Sequence, residues 1–91
     1  EEPFGLVAIE GMSLSCITIV SNKGGLIDIS KKTGALIYSD QKQLIDIISN
    51  LNSYEQSKLF NISKKQFLNT KYFYSYNKFQ EKLRNTILIK F

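Results

Sequence analysis

Ninety-one residues, 43% hydrophobic and 22% charged, describe one small globular domain rather than a disordered chain. The chain has no histidine, which excludes Ser-His-Asp and Cys-His catalysis and histidine metal sites, and its single Cys16 can form neither an internal disulfide nor a zinc cluster. The net charge of +4 is unevenly placed: residues 1–40 carry five carboxylates against three lysines, and residues 41–91 carry nine basic side chains against three acidic ones.

Residues 6–14 read as a helix, mostly apolar and so expected to be buried on most sides. Pro3 suits the approach to it, where a missing N–H costs little, and Gly5 lets the backbone come close to whatever lies in front. Residues 16–20, Cys-Ile-Thr-Ile-Val, have the β-branched composition of a short buried strand, with Cys16 as a small core residue. Gly24-Gly25 breaks it, residues 26–29 are ambiguous with a short helical turn, and Thr33-Gly34 is a second turn signal. Residues 35–38 read as another short strand.

Asp40 and Gln43 form a capping-box pattern ahead of Leu44, Ile47, Ile48 and Leu51, the clearest amphipathic stripe in the chain. Ser53 and Gln56 repeat the pattern for a helix to about residue 68, with Leu59, Phe60 and Phe67 as its apolar face. A break is expected at 69–71, and a closing helix starts at Ser75. The expected set is therefore two parallel strands near 17–21 and 35–39, with helices near 5–14, 41–51, 54–68 and 75–89. Two parallel strands joined by a crossover are too few for a sheet buried on both faces. The expectation is an α/β fold, the C-terminal half of a Rossmann-like domain: one partial domain over residues 1–91, with 75–91 closing it.

The segment with the most chemical content is the first. Glu2 precedes a Phe4-Gly5 turn, a helix opens there, and Glu10 lies inside it. A helix N-terminus presents unpaired N–H groups and partial positive charge to a diphosphate. A carboxylate before it can accept hydrogen bonds from sugar hydroxyls, and one further along can reach a ribose diol. Equally, Glu2 can be an anion favoured by the helix dipole and Glu10 a solvated helix residue.

Residues 2–12, Glu-Pro-Phe-Gly-Leu-Val-Ala-Ile-Glu-Gly-Met, resemble the Glu-x7-Glu signature of the retaining family 4 (group 1) glycosyltransferases, enzymes with two Rossmann domains (the GT-B fold). Ile19-Val20-Ser21 with Gly24-Gly25-Leu26 and Asp28-Ile29 resembles the strand and glycine turn that follow in that family. Gly34-Ala35-Leu36-Ile37 with Asp40 and Leu44 resembles the next strand and helix, and residues 74–79 resemble the start of its closing helix. The chain departs from the family's usual residues at Ser15, Ile17, Ile27, Asp28 and Tyr76.

The resemblance implies that Glu2 contacts the donor sugar at the reaction centre, that Glu10 binds the nucleotide ribose, and that the backbone of Phe4, Gly5 and Leu6 faces sugar and diphosphate. It implies a nucleotide-diphosphate-sugar donor, no metal and no other cofactor, a glycan or lipid acceptor held by a separate N-terminal domain, and transfer with retention. The family's upstream basic residues and acceptor domain have no counterpart in these residues, so this piece alone is expected to be inactive. A non-catalytic truncated remnant and a small basic helical module for nucleic acid or membrane are the alternatives. Tyr72, Phe73, Tyr74, Tyr76 and Phe79 with Lys71 and Lys78 fit a stacking platform for bases, but packing of the closing helix explains them more simply, and no nucleic-acid partner is expected.

No apolar run exceeds four residues, so no membrane span is expected. Glu1 and Glu2 stand where a secretory leader would be basic. A cytoplasmic location is the simplest reading, with peripheral association at the inner face of the membrane compatible with the basic half. Because the chain opens on Glu1 and Met12 is its only methionine, it is expected to be a processed or excised piece of a longer protein.

Overall fold

The computed structural model describes residues 5–74. Their order is α1 (Gly5–Ser13), β1 (Ile19–Ser21), α2 (Gly25–Thr33), β2 (Leu36–Tyr38), α3 (Gln41–Ser53) and α4 (Gln56–Phe73). The class is mixed α/β, as expected, with four helices and two short strands. The strands β1 and β2 pair in parallel across the α2 crossover, with Ile19 opposite Leu36, Val20 opposite Ile37 and Ser21 opposite Tyr38. The expected helix at 75–89 and its aromatic start lie outside the described residues.

Local chemistry accounts for both ends of α2 and the start of α3. Gly24, before α2, has φ 52°, a region that side chains disfavour. Asp28 in the first turn of α2 and Lys31 and Lys32 in its last match the helix dipole. Gly34 ends α2 in the left-handed conformation at φ 85°, its N–H donating to the Ser30 carbonyl at 2.9 Å. At α3, Asp40 Oδ1 accepts from the Gln43 N–H at 2.8 Å, and Gln43 Oε1 accepts from the Ser39 N–H at 2.6 Å. The capping pattern is thus real, its return bond shifted by one residue.

The core is small: Ala8, Ile9 and Met12 of α1, Val20 of β1, Leu26 and Ile29 of α2, and Ala35 before β2. The helix α4 lies over α1 and α2. It docks through polar side chains, with Gln66 fully buried and Thr70 1% exposed. Gln66 Oε1 accepts from the Thr18 N–H at 2.8 Å, and Gln66 Nε2 lies 3.3 Å from both the Thr18 and the Gly34 carbonyls. Asn69 Nδ2 donates to the Thr33 carbonyl, Ser63 Oγ to the Ser15 carbonyl, and Thr70 Oγ1 to Met12 Sδ.

These contacts correct several expectations. The break at 69–71 does not occur, because Asn69 and Thr70 point inward and are hydrogen-bonded, so α4 runs to Phe73. Phe60, expected on its inner face, is 63% exposed. Ser53 does not cap α4: it ends α3, its hydroxyl bonded to the Asn50 carbonyl, and Glu55 takes the cap position without a side-chain bond. Residues 26–29 belong to a nine-residue helix rather than a turn. Cys16 is exposed and precedes the strand. Its N–H donates to the Gly11 carbonyl in the reversal after α1, where Ser15 has φ 65°, so it is spent on the turn. Helix α1 is less enclosed than expected, with Leu6, Val7 and, just after it, Leu14 on the surface.

Candidate functional site

The candidate site is built on α1. Gly5 opens this helix and is buried. A Cβ at Gly5 would lie 3.0 Å from Ile29 Cδ1, so α1 seats closely on α2 here and a larger residue would push the tip of the Ile29 side chain aside. At the other end, a Cβ on Gly11 would lie 3.2 Å from Thr18 Oγ1, so α1 also passes close to the residue that leads into β1.

Helical spacing divides α1 into two faces. Gly5, Ala8, Ile9 and Met12 turn inward and are buried. Leu6, Val7 and Glu10 turn outward, as does Leu14 in the turn just after the helix. Glu10 therefore stands among three exposed apolar side chains, of which Val7 is 67% and Leu14 70% exposed. A carboxylate on such a surface is accessible to a ligand that brings both hydroxyl groups and an apolar ring.

The loops that follow the two strands meet. The Asn22 N–H donates to the Tyr38 carbonyl at 3.0 Å, and Asn22 Nδ2 donates to Ser39 Oγ at 3.1 Å. Helices α2 and α3 both begin just beyond these loops, at the carboxyl ends of the strands. That end of an open α/β sheet is where ligands usually bind. Lys23, in the first of these loops, is exposed.

Of the expected site residues, Gly5, Leu6 and Glu10 stand on one helix, Gly5 inward and the other two outward. Glu2 and Phe4 lie outside the described residues, so the pairing of Glu2 with Glu10 is not part of this geometry. Among the described residues, no three of His, Cys, Asp and Glu come together as a metal site.

The perturbed titrations lie on α2 and at the end of α4. Lys32 Nζ is 3.0 Å from Asp28 Oδ2 and 5.9 Å from the centre of the Tyr74 ring. The hydrogen bond to Asp28 holds the lysine above its ordinary range. Burial pushes the Tyr74 phenol up, against the opposing pull of Lys32.

The sequence shows no sign of the Gln66 clamp, and it places the basic excess in residues 41–91 without assigning it to one side of α4. The sequence signal for the latter is four lysines with no Asp or Glu in 56–73. No family model matches the chain, and no match was found among curated proteins or solved structures.

Proposed function

We propose that this chain is the nucleotide-sugar-binding C-terminal part of a retaining glycosyltransferase, which moves a sugar from a nucleotide-diphosphate donor to a glycan or lipid acceptor. The reading rests on the Glu-x7-Glu segment and its resemblance to family 4 glycosyltransferases. The observation that carries it furthest is Glu10, outward on a helix that opens at a buried glycine and is followed by a parallel β-α-β unit.

In this reading Glu10 accepts hydrogen bonds from the two ribose hydroxyls, while Leu6 and Val7 give the nucleoside an apolar surface. The amides at the start of α1 face the diphosphate, and Glu2 holds the donor sugar. The glycosyl–phosphate bond breaks with the new bond forming on the same face, and the leaving phosphate takes the acceptor's proton. No histidine base enters this scheme. The acceptor is held by a second Rossmann domain outside these residues, so the chain alone binds donor weakly and does not turn over.

The runner-up is a truncated remnant without activity. The reading frame upstream of Glu1 separates the two. A long in-frame extension with a second Rossmann pattern supports the enzyme, and a stop codon close upstream overturns it. With the extended protein, sugar transfer is measured from UDP-, GDP- and ADP-linked donors. Absence of transfer and of donor binding across all three rejects the proposal.

A further inference from the structure

Helix α4 departs from an ordinary amphipathic helix: half-buried Leu59 and Ile62 share its inner side with fully buried polar residues, and large apolar residues stand outside. Its most buried positions are polar, Gln66 and Thr70, whereas Phe60, Leu68 and Tyr72 are 63%, 50% and 81% exposed. At 3.6 residues per turn these three fall in one outward sector of roughly 160°, with Leu68 near its middle. All four lysines of the helix, Lys58, Lys64, Lys65 and Lys71, fall in the same sector and are exposed. No Asp or Glu occurs in 56–73. Among the described residues the ion pair is Lys32 with Asp28, and none of the four α4 lysines is neutralised there.

Two of the four lysines lie along the margin. Lys58 Nζ sits 3.8 Å from the Tyr54 ring centre, and the Lys65 stem passes over Gly34. Lys64 and Lys71 stand between Phe60 and Tyr72, free to reach outward. From Phe60 to Tyr72 the face runs about 18 Å along the axis.

We propose that this outer face of α4 lies flat on an anionic membrane surface. Phe60, Leu68 and Tyr72 enter the boundary between headgroups and acyl chains. Lys64 and Lys71, with Lys58 and Lys65 beside them, meet the lipid phosphates, their stems lying along the apolar strip. The charge of the helix selects this occupant: four cations with no anion are complementary to an anionic leaflet. The apolar residues distinguish it from a nucleic-acid surface. Leu68, at the middle of the face, cannot stack on a base, and the helix contains no arginine. The proposal stands on α4 alone and is independent of the donor-site reading.

The test uses the 91-residue chain and vesicles of phosphatidylcholine, with and without about one third phosphatidylglycerol. The chain has no tryptophan, so Phe60→Trp gives a single reporter. The expected result is co-sedimentation with the anionic vesicles only, a blue shift of the tryptophan emission on binding, and release by high salt. Lys64→Gln with Lys71→Gln should weaken binding roughly 30-fold, about 5-fold for each charge. Leu68→Ser with Tyr72→Ser should abolish the blue shift, with circular dichroism confirming an unchanged helix content. Equal binding to both vesicle types overturns the proposal, as does an unshifted emission maximum with anionic vesicles. It is also overturned if an RNA oligonucleotide binds more tightly than the vesicles with affinity insensitive to Leu68→Ser. Aggregation of the chain in buffer is handled by repeating the measurement on a longer protein that contains it, where the same outcomes decide.

Discussion

Gln66 grips Thr18 by both polar groups of its backbone: the side-chain oxygen accepts from the Thr18 N–H at 2.8 Å, and the side-chain nitrogen lies 3.3 Å from the Thr18 carbonyl. This is the exchange that a neighbouring strand would make, performed by one amide side chain from a helix. The same nitrogen reaches the Gly34 carbonyl, so the residues leading into both strands are tied together. Gln66→Leu keeps the volume and leaves the Thr18 N–H and the Gly34 carbonyl without a side-chain partner, while the Thr18 carbonyl still accepts from the Leu36 N–H. The expected loss is about 2–3 kcal/mol, from desolvated groups left unpaired. Urea unfolding with an unchanged slope measures it; a change below about 0.5 kcal/mol would show that water replaces the clamp.

The cap of α3 is local and its effect should be too. Asp40→Ala removes the acceptor for the Gln43 N–H and should cost about 1 kcal/mol. Asp40→Asn should restore most of it. Thermal unfolding of the two variants checks this order.

Glu10 is exposed, so its removal should leave the fold intact and act on ligand alone. In the extended protein, Glu10→Ala should weaken donor binding about 10- to 100-fold, the range for a hydrogen bond to a charged group. Glu2→Ala should instead lower turnover. Calorimetric affinities and initial rates separate the two, and wild-type behaviour in both would remove the donor-site assignment.

The Lys32–Tyr74 neighbourhood predicts alkaline destabilisation. Burial favours the neutral phenol of Tyr74, so its folded pKa lies above the unfolded value near 10.0. The unfolded chain then releases this proton first, and stability falls as pH rises through and beyond that value. Lys32, raised chiefly by its hydrogen bond to Asp28, acts in the same direction: its contribution is complete below 10.5 and is lost above it. Tyr74→Phe should flatten the decline. Denaturation midpoints measured across the alkaline range test this, and an unchanged slope in the variant would exclude Tyr74 as its source.

The chain made alone should self-associate. Ile45 and Ile48 of α3 are 54% and 45% exposed, Ile37 of β2 is 38% exposed, and Val7 on α1 and Leu14 just after it lie bare. Exposed apolar surface of this kind beside a two-stranded parallel sheet invites association. Sedimentation velocity over a range of concentrations should show a rising weight-average mass. A concentration-independent monomer melting cooperatively at about 45–65 °C would identify a self-sufficient domain and end the fragment reading.

Where the governing interactions are short-range, the sequence was readable. Asp40 and Gln43 act within one turn, and the strands are found within two residues of their expected bounds because β-branched runs flanked by glycine turns mark them. Helix α2 was harder: Leu26, Ile29 and Thr33 form its inner line, but two glycines precede them and two lysines interrupt, which dilutes the pattern. The misreading at 69–71 has a long-range cause, whereas Cys16 is taken by the local turn back to Gly11. Asn69, Thr70 and Gln66 are polar and so look like surface or a break, yet their partners Thr33, Met12 and Thr18 lie 36, 58 and 48 positions away. No local pattern carries such pairings. Within the candidate site, the outward position of Glu10 agreed with a solvated helix residue and a ribose ligand alike, so spacing alone did not choose between them.

Helix α3 has no buried residue and touches the rest of the described chain chiefly through β2. Its thirteen residues therefore hold together by their own hydrogen bonds and cap more than by burial. Such a helix opens before the core does. In a hydrogen-exchange experiment its amides should form a separate, faster class, while those of α1, α2 and the Thr18 N–H held by Gln66 exchange near the global limit. The chain would then unfold in two layers, and conditions too mild to disturb Met12 would already release the segment between Tyr38 and α4.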